Sequence, residues 1–198
     1  MVWPIIIHLP YFIPRSKLDD LKKELLPLVV KHACVKLKAP IKLASGKMSQ
    51  TYFDGRKVTL HPKGISLLAR AILELVDVNA FHAIGGPSIG ADPIATAVSI
   101  FALLERKKEL PAFLVRKEVK QYGLQKQIEG MELKSGMNVL VVEDVITTGS
   151  SVKNAISVIE ATGAKVKCVV CLLDREEGGK EMLHSYPLIP LFKRDEIK

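Results

Sequence analysis

Val139-Leu140-Val141-Val142-Glu143-Asp144-Val145-Ile146-Thr147-Thr148-Gly149-Ser150-Ser151 is the stretch that decides how this chain is read. Its first four residues are apolar and suit a strand buried on both faces of a parallel sheet. Two adjacent carboxylates, Glu143 and Asp144, stand at the carboxyl end of that strand. Thr147 to Ser151 are small and hydroxyl-rich and open a helix expected to run to about Ala161. A helix N-terminus reached through such a loop is an anion site, where backbone N–H groups and the helix dipole face a phosphate. The carboxylates repel that phosphate, so they must hold something neutral or cationic attached to it, such as sugar hydroxyls or a metal ion. A phosphorylated sugar satisfies both halves. No G-x-x-x-x-G-K-[ST] is present and no G-x-G-x-x-G follows a strand, which sets aside the P-loop and dinucleotide-binding folds.

Working outward, strand and helix patterns alternate. Leu18, Leu21, Leu25, Leu28 and Val29 recur at helical spacing, so Lys17 to His32 reads as an amphipathic helix. Residues 41–54 read as extended segments around a turn at Ser45-Gly46. Pro62 at the first helical position starts a second helix through Leu75. Ala80 to Ile84 is expected as a short strand ending in Gly85-Gly86, followed by a helix from about Gly90 to Arg106. Ala112 to Val115 and Val166 to Leu173 are further strands. Residues 116–130 read as a polar, lysine-rich stretch. The alternation implies an α/β fold around a parallel sheet. Ligands in such sheets bind beyond the carboxyl ends of the strands. Four loops qualify, at residues 85–90, 116–130, 143–151 and 174–179, and they can converge on one crevice.

At 198 residues the chain fits a single domain with a hydrophobic core. We expect an N-terminal arm and helix over 1–42, a catalytic core over 43–179 and a C-terminal tail over 180–198. No apolar run approaches the ~20 residues of a membrane span, so no membrane partner is expected. Val2 to Pro14 is apolar but interrupted by Pro4, Pro10 and Pro14. It lacks a basic leader and a small-residue cleavage site, and it reads as a docking arm or subunit contact rather than a signal peptide. The net charge of +8 favours polyanionic ligands. Nucleic acid would also suit that charge, but no RGG tract, zinc-finger spacing or aromatic–basic interleave supports it. Surface solubility is a third explanation.

The three cysteines, Cys34, Cys168 and Cys171, are an odd number and are expected to be reduced thiols in the cytoplasm. Cys168-Val-Val-Cys171 is formally a C-x-x-C. It lies in a strand pattern, where residues three apart face opposite ways, so the sulfurs cannot share a metal.

Three further motifs carry chemistry. Gly85-Gly86-Pro87-Ser88-Ile89-Gly90 can bring backbone N–H groups close to a phosphate. Arg116-Lys117-Glu118-Val119-Lys120-Gln121-Tyr122-Gly123 places three cations within five residues, as a lid over a leaving pyrophosphate would need. Leu173-Asp174-Arg175-Glu176-Glu177-Gly178-Gly179 presents a guanidinium whose planar fork matches a carboxylate or a paired carbonyl edge.

These motifs, in this order, resemble those of the type I phosphoribosyltransferases. The 139–151 stretch resembles that family's motif for phosphoribosyl pyrophosphate (PRPP). The 116–123 segment resembles R-K-E-x-K-x-H-G, the catalytic loop of the orotate phosphoribosyltransferases, with Tyr122 in place of histidine. Leu43-Ala44-Ser45-Gly46-Lys47-Met48-Ser49-Gln50-Thr51-Tyr52-Phe53-Asp54-Gly55-Arg56 is similar to the stretch that lines the orotate and pyrophosphate ends of their site, with Ala44 where many members have lysine. The resemblance implies the type I fold with a small N-terminal hood. It implies transfer of phosphoribosyl from PRPP to orotate, giving orotidine 5′-monophosphate and pyrophosphate in pyrimidine biosynthesis.

By the same resemblance, Lys120, Arg116, Lys117 and Asp144 are catalytic. Glu143, Asp144, Thr147, Thr148, Gly149, Ser150, Ser151, Gly85, Gly86 and Tyr122 bind PRPP. Arg175, Thr147, Tyr52, Phe53 and Lys47 bind orotate. Mg²⁺ is the implied cofactor, with no direct protein ligand assigned. A homodimer sharing its catalytic loops is the implied assembly, and the length leaves no room for a fused decarboxylase. Two other readings fit part of the pattern: a phosphoribosyltransferase for a purine, and a non-catalytic regulator that binds nucleic acid and senses PRPP. Arg175 favours an acidic pyrimidine over a purine. The cationic lid argues against a sensor, which has no leaving group to stabilise.

Overall fold

The apolar run at 139–142 lies in the middle of the protein, and all four of its side chains are fully buried. In this computed structural model, which describes residues 15–42, 48–118 and 127–197, the other elements stack around it. In chain order they are α1 (Arg15–Leu28), β1 (Cys34–Lys42), β2 (Met48–Phe53), α2 (Arg56–Thr59), α3 (Pro62–Leu75), β3 (Ala83–Pro87) and α4 (Ala91–Arg106). There follow β4 (Ala112–Val115), β5 (Ile128–Gly130), β6 (Asn138–Ile146), α5 (Ser150–Glu160), β7 (Lys165–Asp174), α6 (Gly179–Met182) and β8 (Leu188–Lys193). The arm expected at residues 2–14 lies outside the described residues.

Six strands form the central sheet in the order β5-β4-β3-β6-β7-β8. All neighbours are parallel except β4 and β5. From β3 the chain crosses through α4 to β4 on one side, and from β6 it crosses through α5 to β7 on the other. The boundary between β3 and β6 is therefore the topological switch point, where a crevice opens at the strand ends.

Helices cover both faces. α1, α3 and α4 pack one face with Leu140, Val142, Cys168, Val170 and Leu172. α5 packs the other with Val139, Val141, Val169 and Cys171. Burial of each aliphatic side chain is worth about 1.5–3 kcal/mol, against ~0–1 kcal/mol for an exposed ion pair, so these two layers dominate stability. The two sulfurs of the C-x-x-C point into opposite layers, as strand alternation requires. Burial pushes the Cys168 thiol up to about 12 and that of Cys171 well above its ordinary value, which leaves both thiols protonated and inert.

β1 and β2 form a separate antiparallel pair. This hood is tied to the body through α1, whose Leu25 is fully buried. Lys17 Nζ lies 2.6 Å from Glu74 Oε1 on α3, and Arg106 of α4 meets the same oxygen. Burial alone would raise the Glu74 carboxyl, but the two cations outweigh it and hold it below its ordinary value.

Several boundaries differ from the sequence reading. The first helix ends at Leu28 and continues as a wider π-type turn, Val29–Ala33, after Pro27 has removed one backbone donor. Ala80 belongs to a short 3-10 turn whose Asp77 side chain accepts from Asn79 N–H. β3 therefore starts three residues late and contains Gly85 and Gly86. The acidic pair likewise lies inside β6, because β7 continues the ladder to Ile146. β5 and β8 were not foreseen. Residues 180–198, expected as a tail, supply β8, which pairs with β7 in the central sheet. The boundary drawn at residue 43 cuts through the β1–β2 pair. Among the described residues no helix is long and apolar enough to cross a membrane.

Candidate active site

A cleft of about 790 Å³ opens at the switch point. Its walls come from Tyr52–Arg56 of the hood side, Pro87–Gly90, Arg116–Glu118, Glu143–Val145, Thr147, Ser151 and Arg175. All four strand-end loops singled out in the sequence thus contribute to one site.

The acidic pair sits where it does because β6 outruns β3. β3 pairs with β6 only as far as Val141, whereas β7 accompanies β6 to Ile146. Beyond Val141 one edge of β6 is open to the cleft. Glu143 Oε1 accepts from Asp144 N–H at 3.0 Å, and Asp144 Oδ1 accepts from Val145 N–H at 2.8 Å, so both carboxylates are held close to their own backbone. Two glycines press against them. A Cβ on Gly55 would lie 2.8 Å from Asp144 Oδ2, and a Cβ on Gly90 would lie 2.6 Å from Asp144 Oδ1 and overlap Glu143 Oε1. Glu143 is only 6% exposed. Burial pushes its carboxyl well above the usual carboxylate range, and the adjacent Asp144 charge adds to the shift.

That shift has a measurable consequence. The unfolded chain titrates Glu143 near ~4.3, while the folded protein holds its proton to higher pH. Stability from the neutral form is complete below the unfolded value and is lost as pH rises through the folded one. Glu143→Gln should therefore melt above the parent protein at pH 8, by on the order of 2–4 °C for each ~1 kcal/mol relieved. The gap should close toward pH 4. A melting temperature below the parent's at pH 8 would show that the ionised carboxylate stabilises the empty site.

Of the five loop residues 147–151, Thr147 and Ser151 line the cleft. Thr148 and Ser150 face each other, with hydroxyls 3.1 Å apart. Gly149, at φ +80°, caps α5 and is packed against Gly179. Gly85 and Gly86 do not line the cleft. They are buried in β3, where a Cβ would overlap the Phe113 and Val142 carbonyl oxygens, so their smallness serves sheet packing. The loop that does reach the cleft is Pro87–Gly90. Ser88 Oγ donates to Asp92 Oδ1 there.

Tyr52 is half-buried in the cleft wall, and Phe53 belongs to the core while lining the cleft. Asp54 and Arg56 were quoted in the sequence motif without a role. In the structure both line the cleft, with Arg56 Nε 3.0 Å from Asp54 Oδ1. Their D-x-R spacing was the available signal.

Arg116 and Lys117 stand at the edge of the cleft. Arg116 N–H donates to Gln127 O at 2.9 Å, and Gln127 Nε2 donates back to Arg116 O at 3.0 Å. The β4–β5 pair is the stem of this segment, which is why an antiparallel strand appears in the stretch read from sequence as polar and lysine-rich. Lys120 and Tyr122, together with Lys47, lie outside the described residues. Arg175 follows β7, is 9% exposed and reaches the cleft, with Nη2 3.0 Å from Glu177 Oε1.

Chemically, one end of the cleft offers cations and the other a carboxylate pair beside a helix N-terminus. Comparison with known proteins identifies the family. Residues 58–191 match the family model described as the phosphoribosyl transferase domain. The chain is 40% identical over 181 residues to an orotate phosphoribosyltransferase of Aquifex aeolicus, covering 89% of this chain and 98% of that one. It is 39% identical over 176 residues to that of Pyrococcus furiosus, covering 85% and 92%. Among solved structures, Mycobacterium tuberculosis orotate phosphoribosyltransferase in complex with PRPP superposes with a TM-score of 0.71. The identity is 31%, over 89% of this chain and 98% of that one.

Proposed function

The chain belongs to the orotate phosphoribosyltransferase family, and on that premise we propose how its residues divide the conversion of orotate and PRPP to orotidine 5′-monophosphate and pyrophosphate. The observation that carries the reading is the meeting, in one cleft, of the Glu143–Asp144 pair, the start of α5, the Arg116–Lys117 cations and Arg175.

A ring nitrogen of orotate, giving up its proton, forms a bond to C1 of the ribose as the C1–O bond to pyrophosphate breaks. Negative charge grows on the leaving pyrophosphate while the sugar gains oxocarbenium character, so positioning and electrostatics matter more than a protein nucleophile. Thr147, Ser151 and the N-terminus of α5 hold the 5′-phosphate. Thr148, Gly149 and Ser150 shape that loop. Glu143 and Asp144 take the ribose hydroxyls and favour positive charge on the sugar. Arg116 and Lys117 meet the pyrophosphate, joined by Lys120 and the Tyr122 hydroxyl. Pro87–Gly90 lies beneath the pyrophosphate, with Arg56 at its hood side. Arg175 receives the acidic edge of orotate, with Tyr52, Phe53, Thr147 and Lys47 completing that end.

Among the described residues no three His, Cys, Asp or Glu side chains are grouped to hold a metal. The acidic pair still fits a nearby cation, and Mg²⁺ prefers phosphate oxygens and retained waters. Bound together with PRPP beside Glu143 and Asp144, Mg²⁺ would supply charge neutralisation at the pyrophosphate. The working unit is a homodimer that shares its catalytic loops, with Lys120 of one subunit serving its partner's cleft while Arg116 and Lys117 line their own. The family resemblance supports this assembly. The cytoplasm is assigned from the odd cysteine count and the buried thiols.

Product analysis with orotate, hypoxanthine and adenine tests the base. Orotidine 5′-monophosphate should be the product. A purine nucleotide in its place would move the assignment to another branch of the family.

A further inference from the structure

We infer that Glu177, backed by Arg194, is a positioning residue that fixes the Arg175 guanidinium and thereby sets the affinity for orotate without touching it. The inference rests on the reading of Arg175 as the orotate contact.

The chain path builds this arrangement. Arg175 N–H donates to Ile146 O at 2.9 Å, which fixes its backbone at the cleft end of β6. Asp174 Oδ1 accepts from Glu176 N–H at 2.8 Å, and Glu176 takes a left-handed φ of +55°. That turn brings Glu177 back onto Arg175. Glu177 Oε1 lies 3.0 Å from Arg175 Nη2 and 3.8 Å from Arg194 Nη1. Its side chain is 3% exposed, and it does not line the cleft.

Arg194 comes from the short turn after β8, within the segment expected to be a mere tail. That turn is anchored in turn: Glu196 Oε2 accepts from Lys193 N–H at 2.7 Å, and Glu196 Oε1 pairs with Lys22 of α1 at 3.3 Å. Lys193 Nζ also lies 3.6 Å from Glu176. The hood helix, the C-terminal turn and the orotate arginine are thus linked in series.

The chemistry suits orientation better than stability. Glu177 Oε2 is buried with no hydrogen-bond partner among the described residues. A buried carboxylate with half its acceptor capacity idle is a poor stabiliser. As a guide for an arginine it is well suited. It engages one corner of the planar fork and leaves the remaining N–H groups for a planar ligand edge. A guanidinium already held in place also loses less freedom when the base arrives.

The test is steady-state kinetics of Arg175→Ala, Glu177→Gln and the double variant, with orotate and PRPP varied separately. Glu177→Gln should raise the KM for orotate by about tenfold and leave the KM for PRPP within about twofold, the signature of lost positioning at one end of the site. On the Arg175→Ala background it should add nothing, because it acts through that side chain. Equal changes in both KM values, a lowered melting temperature alone, or full additivity would overturn the inference. An orotate KM raised by Arg175→Ala but untouched by Glu177→Gln would overturn it alone. An orotate KM unmoved by Arg175→Ala would remove the reading it rests on as well. Should Glu177→Gln not fold, Arg194→Gln, at the exposed end of the same series, must raise the orotate KM by about threefold; no change would count equally against the inference.

Discussion

Gly90→Ala should leave the protein folded and lower kcat/KM for PRPP by about 100-fold or more, the scale of a ~1 Å misplacement in a preorganised site. Gly90 has φ −60° and ψ −42°, which alanine adopts freely, so no backbone strain is introduced. The added methyl instead falls on Glu143 Oε1 and Asp144 Oδ1. Carboxylate ends can swing away at little cost to the fold, but they then leave the ribose hydroxyls. A melting temperature within a few degrees of the parent, together with weak PRPP binding by calorimetry, is the expected pair of results. Normal kcat/KM would mean that the acidic pair does not need its observed position, and its assignment to the ribose would fall.

Lys120→Ala should reduce turnover by ~10²–10³, the cost of one donor placed where charge develops. Stability should stay within about ±0.5 kcal/mol of the parent's, since residues 116–130 read from sequence as a polar, lysine-rich stretch that gives Lys120 no packing role. The motif places the lysine in the segment whose two ends, Arg116 and Gln127, are hydrogen-bonded to each other beside the cleft. The same variant tests the shared-loop dimer. Mixing inactive Lys120→Ala with inactive Asp144→Asn should restore activity, because a hybrid dimer carries one intact lysine facing one intact acidic pair. No recovery on mixing, with hybrid dimers demonstrated, would confine the lysine to its own subunit. Unchanged turnover of Lys120→Ala alone would remove it from the chemistry.

Legibility in the sequence followed the physics of each element. β6 and its neighbours could be read because a strand buried on both faces must be continuously apolar, and the switch from that run to Glu143-Asp144 marks where burial gives way to a ligand. β7 could be read for the same reason, and its two cysteines fall on opposite faces as the period-two rule demands. β8 was missed because Leu188-Ile189-Pro190-Leu191-Phe192 carries a proline. An edge strand tolerates proline, with only β7 to pair against. β5 was missed because its three residues, Ile128–Gly130, are too few to show alternation; only pairing with β4 makes them a strand.

Within the site, residue type was more legible than residue orientation. Thr147 and Ser151 reach the cleft while Thr148 and Ser150 turn to each other, a distinction set by the tight turn into α5. Gly85-Gly86 looked like a phosphate loop, yet their bareness accommodates the carbonyls of Phe113 and Val142, which lie far from them in sequence. Asp174-Arg175-Glu176-Glu177 was legible as an arginine motif for orotate, but the burial of Asp174, Arg175 and the Glu177 side chain was not. That burial depends on β8 and the C-terminal turn packing beside it.

The most direct measurement is orotate consumption followed by ultraviolet absorbance, with PRPP and Mg²⁺ together and then with each omitted. Loss of orotate absorbance that requires both is the predicted result. No loss with both present, while calorimetry still detects PRPP binding, would contradict the assignment of orotate as the base that this cleft accepts.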